Sequence, residues 1–258
     1  MKIKQYKIKT HDGFDLETIV SIPLKTNGKV IVMCHGLTGV KEGRVPEDTH
    51  LTELATKLCE KGFKVVQFDW RGHGQSSGKD LDVNCNSFFN DLDAVVKQEK
   101  GDMELYLWGW SIGGFSIVQY LQKSQIRVER VVLWSPVLEP AASFFYNKNS
   151  LACYRSIVDC VKDGSLYTNQ YAAWTAKNFK ISLDFLNQSR EFDFLRAVAC
   201  LPKKTLIILG DADVLVDKSY AETMVEEFGF DSALLSAGHA LIEDVEKAIR
   251  LSVEYFEE

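Results

Sequence analysis

Two five-residue stretches of this chain, GWSIG at 109–113 and GQSSG at 74–78, hold a serine between glycines in the pattern G-x-S-x-G. A serine raised on a sharp strand-to-helix turn in this pattern can act as a nucleophile. The pattern is short, so context must separate the two. Ser111 directly follows the apolar run ELYLWGW, and a helical run, IGGFSIVQYLQK, begins at Ile112. That placement sets a hydroxyl beside the free N–H groups of a helix N-terminus, which can meet a developing oxyanion. Ser76 lies several residues past its nearest strand and is followed by SGKDLDVNCN, which has no apolar period. Ser111 is therefore the candidate nucleophile.

A serine hydroxyl needs a base, and an imidazole suits neutral pH. Of five histidines, His239 sits in SAGHAL between the last strand and the last helix, on the edge of the sheet where Ser111 is expected. His35 and His73 occupy His-Gly steps in other loops and read as structural. His11 lies in a hairpin turn and His50 opens a helix. The imidazole needs a carboxylate to hold its tautomer. TLIILGDADVLV offers Asp211 and Asp213 at the end of a strand. Both also suit a turn; Asp213 is the stronger candidate.

These side chains need a sheet to align them. Short β-branched runs, KVIVMC (29–34), KVVQFDW (64–70), ELYLWGW (104–110), RVVLWS (130–135) and TLIILG (205–210), alternate with segments of helical period. Unbroken apolar strands of this kind suit a parallel sheet covered on both faces, and the alternation predicts a doubly wound α/β fold. The helices are expected from DTHLTELATKLCEKG, with Asp48 or Thr49 as cap and Gly62 as stop; from SFFNDLDAVVKQEKG, capped by Ser87 and ended by Gly101; and from IGGFSIVQYLQK. Residues 2–9 and 14–22 flank the turn HDG and predict an antiparallel hairpin at the edge. The strand DSALLS (231–236) and a helix from Leu241 to Phe256 close the chain. Between Val137 and Pro202 the α/β period is lost while aromatics accumulate, which predicts an inserted cap over 137–202 on a core of 1–136 and 203–258. The cap aromatics, Trp174 foremost, either line a substrate pocket or pack the cap's own core.

Composition narrows the function. With 46% hydrophobic and 26% charged residues the chain is of ordinary globular type, with no membrane span expected. A net charge of -6 argues against nucleic acid as partner, because neutralising phosphates takes a clustered basic surface. MKIKQYKIKT has lysines but no apolar run behind them, so a cytoplasmic address is expected. Cys34, Cys59, Cys85, Cys153, Cys160 and Cys200 lack metal or redox spacing and read as separate buried thiols; no metal or cofactor is expected.

The chain order Ser111, Asp213, His239, together with CHGLTG (34–39), DWRGHGQSSG (69–78) and GDADVLV (210–216), resembles the α/β-hydrolase superfamily over nearly the whole chain outside the cap. The resemblance implies an eight-stranded, mostly parallel sheet with helices on both faces. It also implies an oxyanion hole from the backbone N–H groups of Leu37 and Ile112. It makes GQSSG the tail of a structural loop in which Arg71, Gly72, His73 and Gly74 shape the fold. HGLTG and the position of the cap are most similar to cinnamoyl or feruloyl esterases and monoacylglycerol lipase-like hydrolases. Those carry His before the nucleophile; here Trp110 stands, as in some carboxylesterases, including the pimeloyl-carrier methyl ester esterases.

The expected activity is hydrolysis of a small-molecule carboxylic ester through an acyl-enzyme. A thioesterase or acyltransferase would use the same residues on a thioester, and an amidase or peptidase would need an amine leaving-group site. A non-catalytic binding protein on this fold would be expected to lose members of the triad. A homodimer is left open.

Overall fold

The strands that carry the candidate site end side by side. The computed structural model describes residues 1–43, 49–138, 165–168, 179–216 and 218–258. Its main sheet has eight strands: β1 (Lys2–Lys9), β2 (Asp15–Ile22), β3 (Lys29–Cys34), β4 (Lys64–Phe68), β5 (Glu104–Trp110), β6 (Val128–Trp134), β9 (Thr205–Gly210) and β10 (Asp231–Leu235). The spatial order is β1-β2-β4-β3-β5-β6-β9-β10. β1 and β2 form the expected hairpin, β2 meets β4 antiparallel, and the remaining neighbours are parallel. Register aligns the strand ends: Cys34 faces Gly109, Trp110 faces Trp134, Trp134 faces Ile208, and Gly210 faces Leu235. The loops carrying Leu37, Ser111, Asp213 and His239 all leave from this carboxyl edge.

The unbroken apolar strands divide their side chains by parity, as a sheet buried on both faces requires. Val30, Val32, Leu105, Leu107, Val131 and Leu133 pack with α2 (Cys85–Glu99) and α3 (Ile112–Lys123). Ile31, Met33, Tyr106, Trp108, Val132 and Trp134 pack with α1 (His50–Glu60) and the last helix (Val245–Glu257). Both faces are dry. Truncating one of these large side chains to Ala costs roughly 2–5 kcal/mol.

Several boundaries differ from expectation, each for a local reason. α2 is capped by Asn84, whose side chain accepts from Ser87 N; Ser87 sits at the third helical position and its Oγ accepts from Asn84 N in return. Such a reciprocal pair is worth about 1 kcal/mol. Thr49 stands at the N-cap of α1 without a side-chain cap bond, and Asp48 lies outside the described residues. The last helix starts at Val245, because Leu241 adopts a left-handed conformation (φ 56) and residues Ile242–Asp244 form a 3-10 turn.

Within 137–202 the described residues form a two-stranded antiparallel ribbon, β7 (Ser165–Thr168) with β8 (Phe179–Ser182), then α4 (Leu183–Glu191) and α5 (Phe194–Val198). Phe185 is buried against Phe88, and Phe192 packs edge-on against Phe115, so α4 and α5 lean on α2 and α3. Trp174 lies outside the described residues. Beyond the ribbon come α6 (Lys218–Phe228) and the last helix, α7. Among the described residues no helix is long and apolar enough to cross a membrane. The described thiols carry no disulfide; Cys34, Cys59 and Cys85 are buried as expected, whereas Cys200 is exposed because it follows α5 on a surface turn.

Candidate active site

β5 ends at Trp110 and α3 begins at Ile112, which leaves Ser111 alone to reverse the chain. It does so at φ 55 and ψ -120, a conformation costing a non-glycine residue about 1–3 kcal/mol. Its surroundings enforce it. Ser111 N donates to Trp134 O, and Ser111 O accepts from Gly114 N and Val137 N, each at 2.9 Å. A Cβ on Gly109 would come 2.7 Å from Ile117 Cδ1, and one on Gly113 would come 2.0 Å from Cys34 O. The two glycines of GWSIG are thus required by close approach, and the serine between them is thrust outward.

An imidazole arrives from the other end of the chain. His239 Nε2 lies 2.9 Å from Ser111 Oγ, and His239 Nδ1 lies 2.8 Å from Asp213 Oδ2. A carboxylate only accepts, so Nδ1 carries the imidazole proton and Nε2 is left to receive one from the hydroxyl. Asp213 Oδ1 is occupied as well, accepting from Leu215 N at 2.8 Å and Val216 N at 3.0 Å. Burial on its own would raise the Asp213 carboxyl. The facing imidazole and these N–H donors outweigh it and hold the group below the ordinary carboxylate range. Asp211 is exposed and meets Ser236 Oγ at 3.4 Å instead, so the choice between the two aspartates falls on Asp213.

Leu37 follows Gly36, which lies hard against the turn of Ser111: a Cβ there would sit 3.3 Å from Ser111 Cβ. Ile112 is the first residue of α3, so its N–H has no acceptor one turn back in the helix. The loop bearing Leu37 is pinned from beneath. Asp69 accepts from Lys41 N at 2.7 Å and from Lys41 Nζ at 3.1 Å, and Gln67 Nε2 donates to Lys41 O. This buried brace was not foreseen from the sequence, where Lys41 carries no positional signal.

The rival residues have other work. Ser76 Oγ donates to Asp69 O and accepts from Glu17 N, tying the 72–78 loop to β2 and β4. His35 is buried; Nδ1 contacts Gly36 O and Nε2 accepts from Trp70 N, and burial pushes its pKa down to about 4. His73 Nδ1 meets Arg71 O. Arg71 links Asp12 and Asp91 through five hydrogen bonds, joining the first hairpin to α2.

Comparison with known proteins agrees with this architecture. Residues 26–236 match the family model described as serine aminopeptidase, S33. Among curated relatives, the lysophosphatidylserine lipase ABHD12 of Xenopus tropicalis is 29% identical over 131 residues, covering 50% of this chain and 32% of that protein. The same-named protein of Danio rerio is 36% identical over 84 residues, 33% of this chain and 21% of its own length. The chain thus spans about a third or less of these relatives. Among solved structures, a putative hydrolase from Agrobacterium vitis superposes with a TM-score of 0.77 at 19% identity, covering 99% of each chain. Est1E of Butyrivibrio proteoclasticus, solved with ferulic acid bound, gives 0.75 at 20% identity over 97% of each. These likenesses show the fold. With the family match spanning most of its length, the chain belongs to the α/β hydrolases of the serine aminopeptidase S33 family.

Proposed function

We propose that this hydrolase cleaves carboxylic esters of small or medium-sized acyl or aryl-acyl groups through an acyl-enzyme. The observation that carries the reading is the continuous relay from Ser111 Oγ through His239 to Asp213, with contacts of 2.9 and 2.8 Å. Ser111 Oγ attacks the carbonyl carbon while His239 Nε2 takes its proton. The imidazolium is stabilised by Asp213. The carbonyl oxygen, now negative, is met by the N–H groups of Leu37 and Ile112, donors worth roughly 3 kcal/mol each. His239 returns the proton to the departing alcohol; water then repeats the sequence and frees the acid.

The segment 137–202 is read as a cap, and its point of departure supports this: it leaves β6 beside the nucleophile, where Val137 N donates to Ser111 O. From the sequence, Trp174 is proposed to line the acyl or alcohol pocket beneath it. A cytoplasmic address is supported by the unpaired thiols of Cys34, Cys59 and Cys85.

An activity-directed fluorophosphonate tests the site. Labelling is expected at Ser111, lost in Ser111→Ala and strongly reduced in His239→Ala; a folded wild-type chain that stays unlabelled would end the proposal. A panel of aryl esters, alkyl esters, acyl thioesters and aminoacyl arylamides then sorts leaving groups. Thioester preference would reassign the chain as a thioesterase, and arylamide preference as a peptidase.

A further inference from the structure

The residue before the nucleophile takes no part in these proton transfers, yet its side chain reaches both segments that must face Ser111. Trp110 is buried at the end of β5. Its indole Nε1–H donates to the backbone carbonyl of His239 at 3.2 Å, and the two rings lie 6.3 Å apart at 37°. On its other side the indole abuts Gly36. A Cβ on Gly36 would come 3.3 Å from Trp110 Cε3 and 3.5 Å from Cδ2, in addition to its contact with Ser111.

The histidine loop is otherwise held from the acid's side and by itself. Asp211 N donates to Leu235 O, Ala212 N to Ala237 O, Gly238 N to Glu243 Oε2, and Leu241 N to Gly238 O. These bonds fix His239 relative to Asp213. They tie it to β5, at whose end Ser111 stands, only indirectly, through β10, β9 and β6. The bond from Trp110 is a direct tie, because donor and nucleophile are adjacent residues.

We infer that Trp110 is a positioning residue, a single indole wedged between the loop of Leu37 and the loop of His239 that sets both at their working distance from Ser111 Oγ. The inference rests on the reading of Ser111 and His239 as nucleophile and base. Indole suits the task because it combines a rigid face with a directional N–H. Proton transfer between Ser111 and His239 depends steeply on their separation, so a loop displaced by a fraction of an ångström slows the reaction without unfolding anything.

Replacing Trp110 with 3-benzothienylalanine keeps the bicyclic shape and deletes only the N–H; Trp110→Phe removes the donor by an independent route. Both are expected to lower kcat for a simple alkyl ester about tenfold or more with KM nearly unchanged; Tm should hold in the benzothienyl variant and fall in Trp110→Phe, which also empties part of a buried site. The proton that His239 shares with Asp213 should give a far-downfield NMR signal in wild type, and this signal should broaden in both variants as the loop loosens. A merely structural tryptophan would not move it. The inference is overturned if the benzothienyl variant keeps kcat within about twofold of wild type, or if kcat falls while the imidazole signal is unchanged. Should the benzothienyl chain fail to fold, the Phe variant decides by the same two readouts. Failure of the functional reading looks different: wild type would not label with fluorophosphonate, and the NMR signal alone would then decide whether Trp110 holds the imidazole.

Discussion

The carbonyl oxygen of Cys34 lies 2.0 Å from the point a Cβ on Gly113 would occupy. β3 and the start of α3 therefore touch backbone to backbone, and this contact brings the loop after β3 alongside the N-terminus that follows Ser111. Gly113→Ala must push the two apart. It is expected to destabilise the chain by about 1–3 kcal/mol and to depress kcat further than the loss of folded protein accounts for. Urea unfolding alongside esterase rates checks both parts; unchanged stability would mean the approach is looser than described.

Asp213→Asn keeps the shape of the acid but offers an amide that can stabilise the wrong imidazole tautomer. The expected loss in kcat is about 10⁴-fold. Asp211→Asn, two residues away and exposed, should stay within roughly threefold of wild type, since surface changes remote from the reacting atoms are nearly neutral. Steady-state kinetics on the two variants compares them directly, and equal losses would remove Asp213 from its role.

Ser76→Ala tests the second G-x-S-x-G match. Its hydroxyl makes two hydrogen bonds, to the backbone of Asp69 and of Glu17, rather than to an imidazole. Fluorophosphonate labelling should persist at the wild-type rate, while stability falls by about 1 kcal/mol. Loss of labelling in folded protein would reopen the choice between the serines.

Acid should destabilise the chain through Asp12 and Asp213. Burial opposes ionisation of Asp12, but hydrogen bonds from Arg71 and Thr10 prevail and hold its carboxyl well below the usual range. A carboxyl depressed in the folded state adds stability above the unfolded value of about 4, and that stability drains away as pH falls through the folded value. Thermal melts should therefore fall gently below about 6.5, where the unfolded chain protonates His35 while burial keeps it neutral in the fold, and more steeply below 4, where Asp12→Asn should be less steep than wild type. An Asp12→Asn profile as steep as wild type below pH 4 would assign the acid loss to other groups.

Arg71→Met leaves Asp91 buried without its cation. Arg71 Nη2 contacts Asp91 Oδ1 at 2.6 Å with both side chains almost wholly enclosed. A cost of about 3–5 kcal/mol is expected from chemical denaturation, with kcat per folded molecule preserved.

Much of this was legible in the chain as a string. The apolar runs of β3, β5, β6 and β9 end within a residue or so of where they were expected, because a strand buried on both faces must be apolar throughout. Ser111 could be preferred over Ser76 because a strand precedes it and a helix follows it at once. The cap of α2 was misplaced by three residues: Asn84 and Ser87 are both good capping types, and only their reciprocal bonding tells which is outside the helix. The exposure of Cys200 was hidden for a similar reason, since composition speaks for a residue type and not for its place.

By itself the sequence determined what is local or periodic: which segments extend, which coil, and which serine occupies the turn between them. Tertiary structure alone decided what depends on residues far apart in the chain. The bond of Asp213 to His239, that of Lys41 to Asp69 beneath the Leu37 loop and that of Trp110 to the carbonyl of His239 are contacts across 26, 28 and 129 residues. Hydrogen bonds of this kind need donor and acceptor within about 3 Å at a favourable angle, a condition set by the register of the sheet and the path of its loops rather than by spacing along the chain.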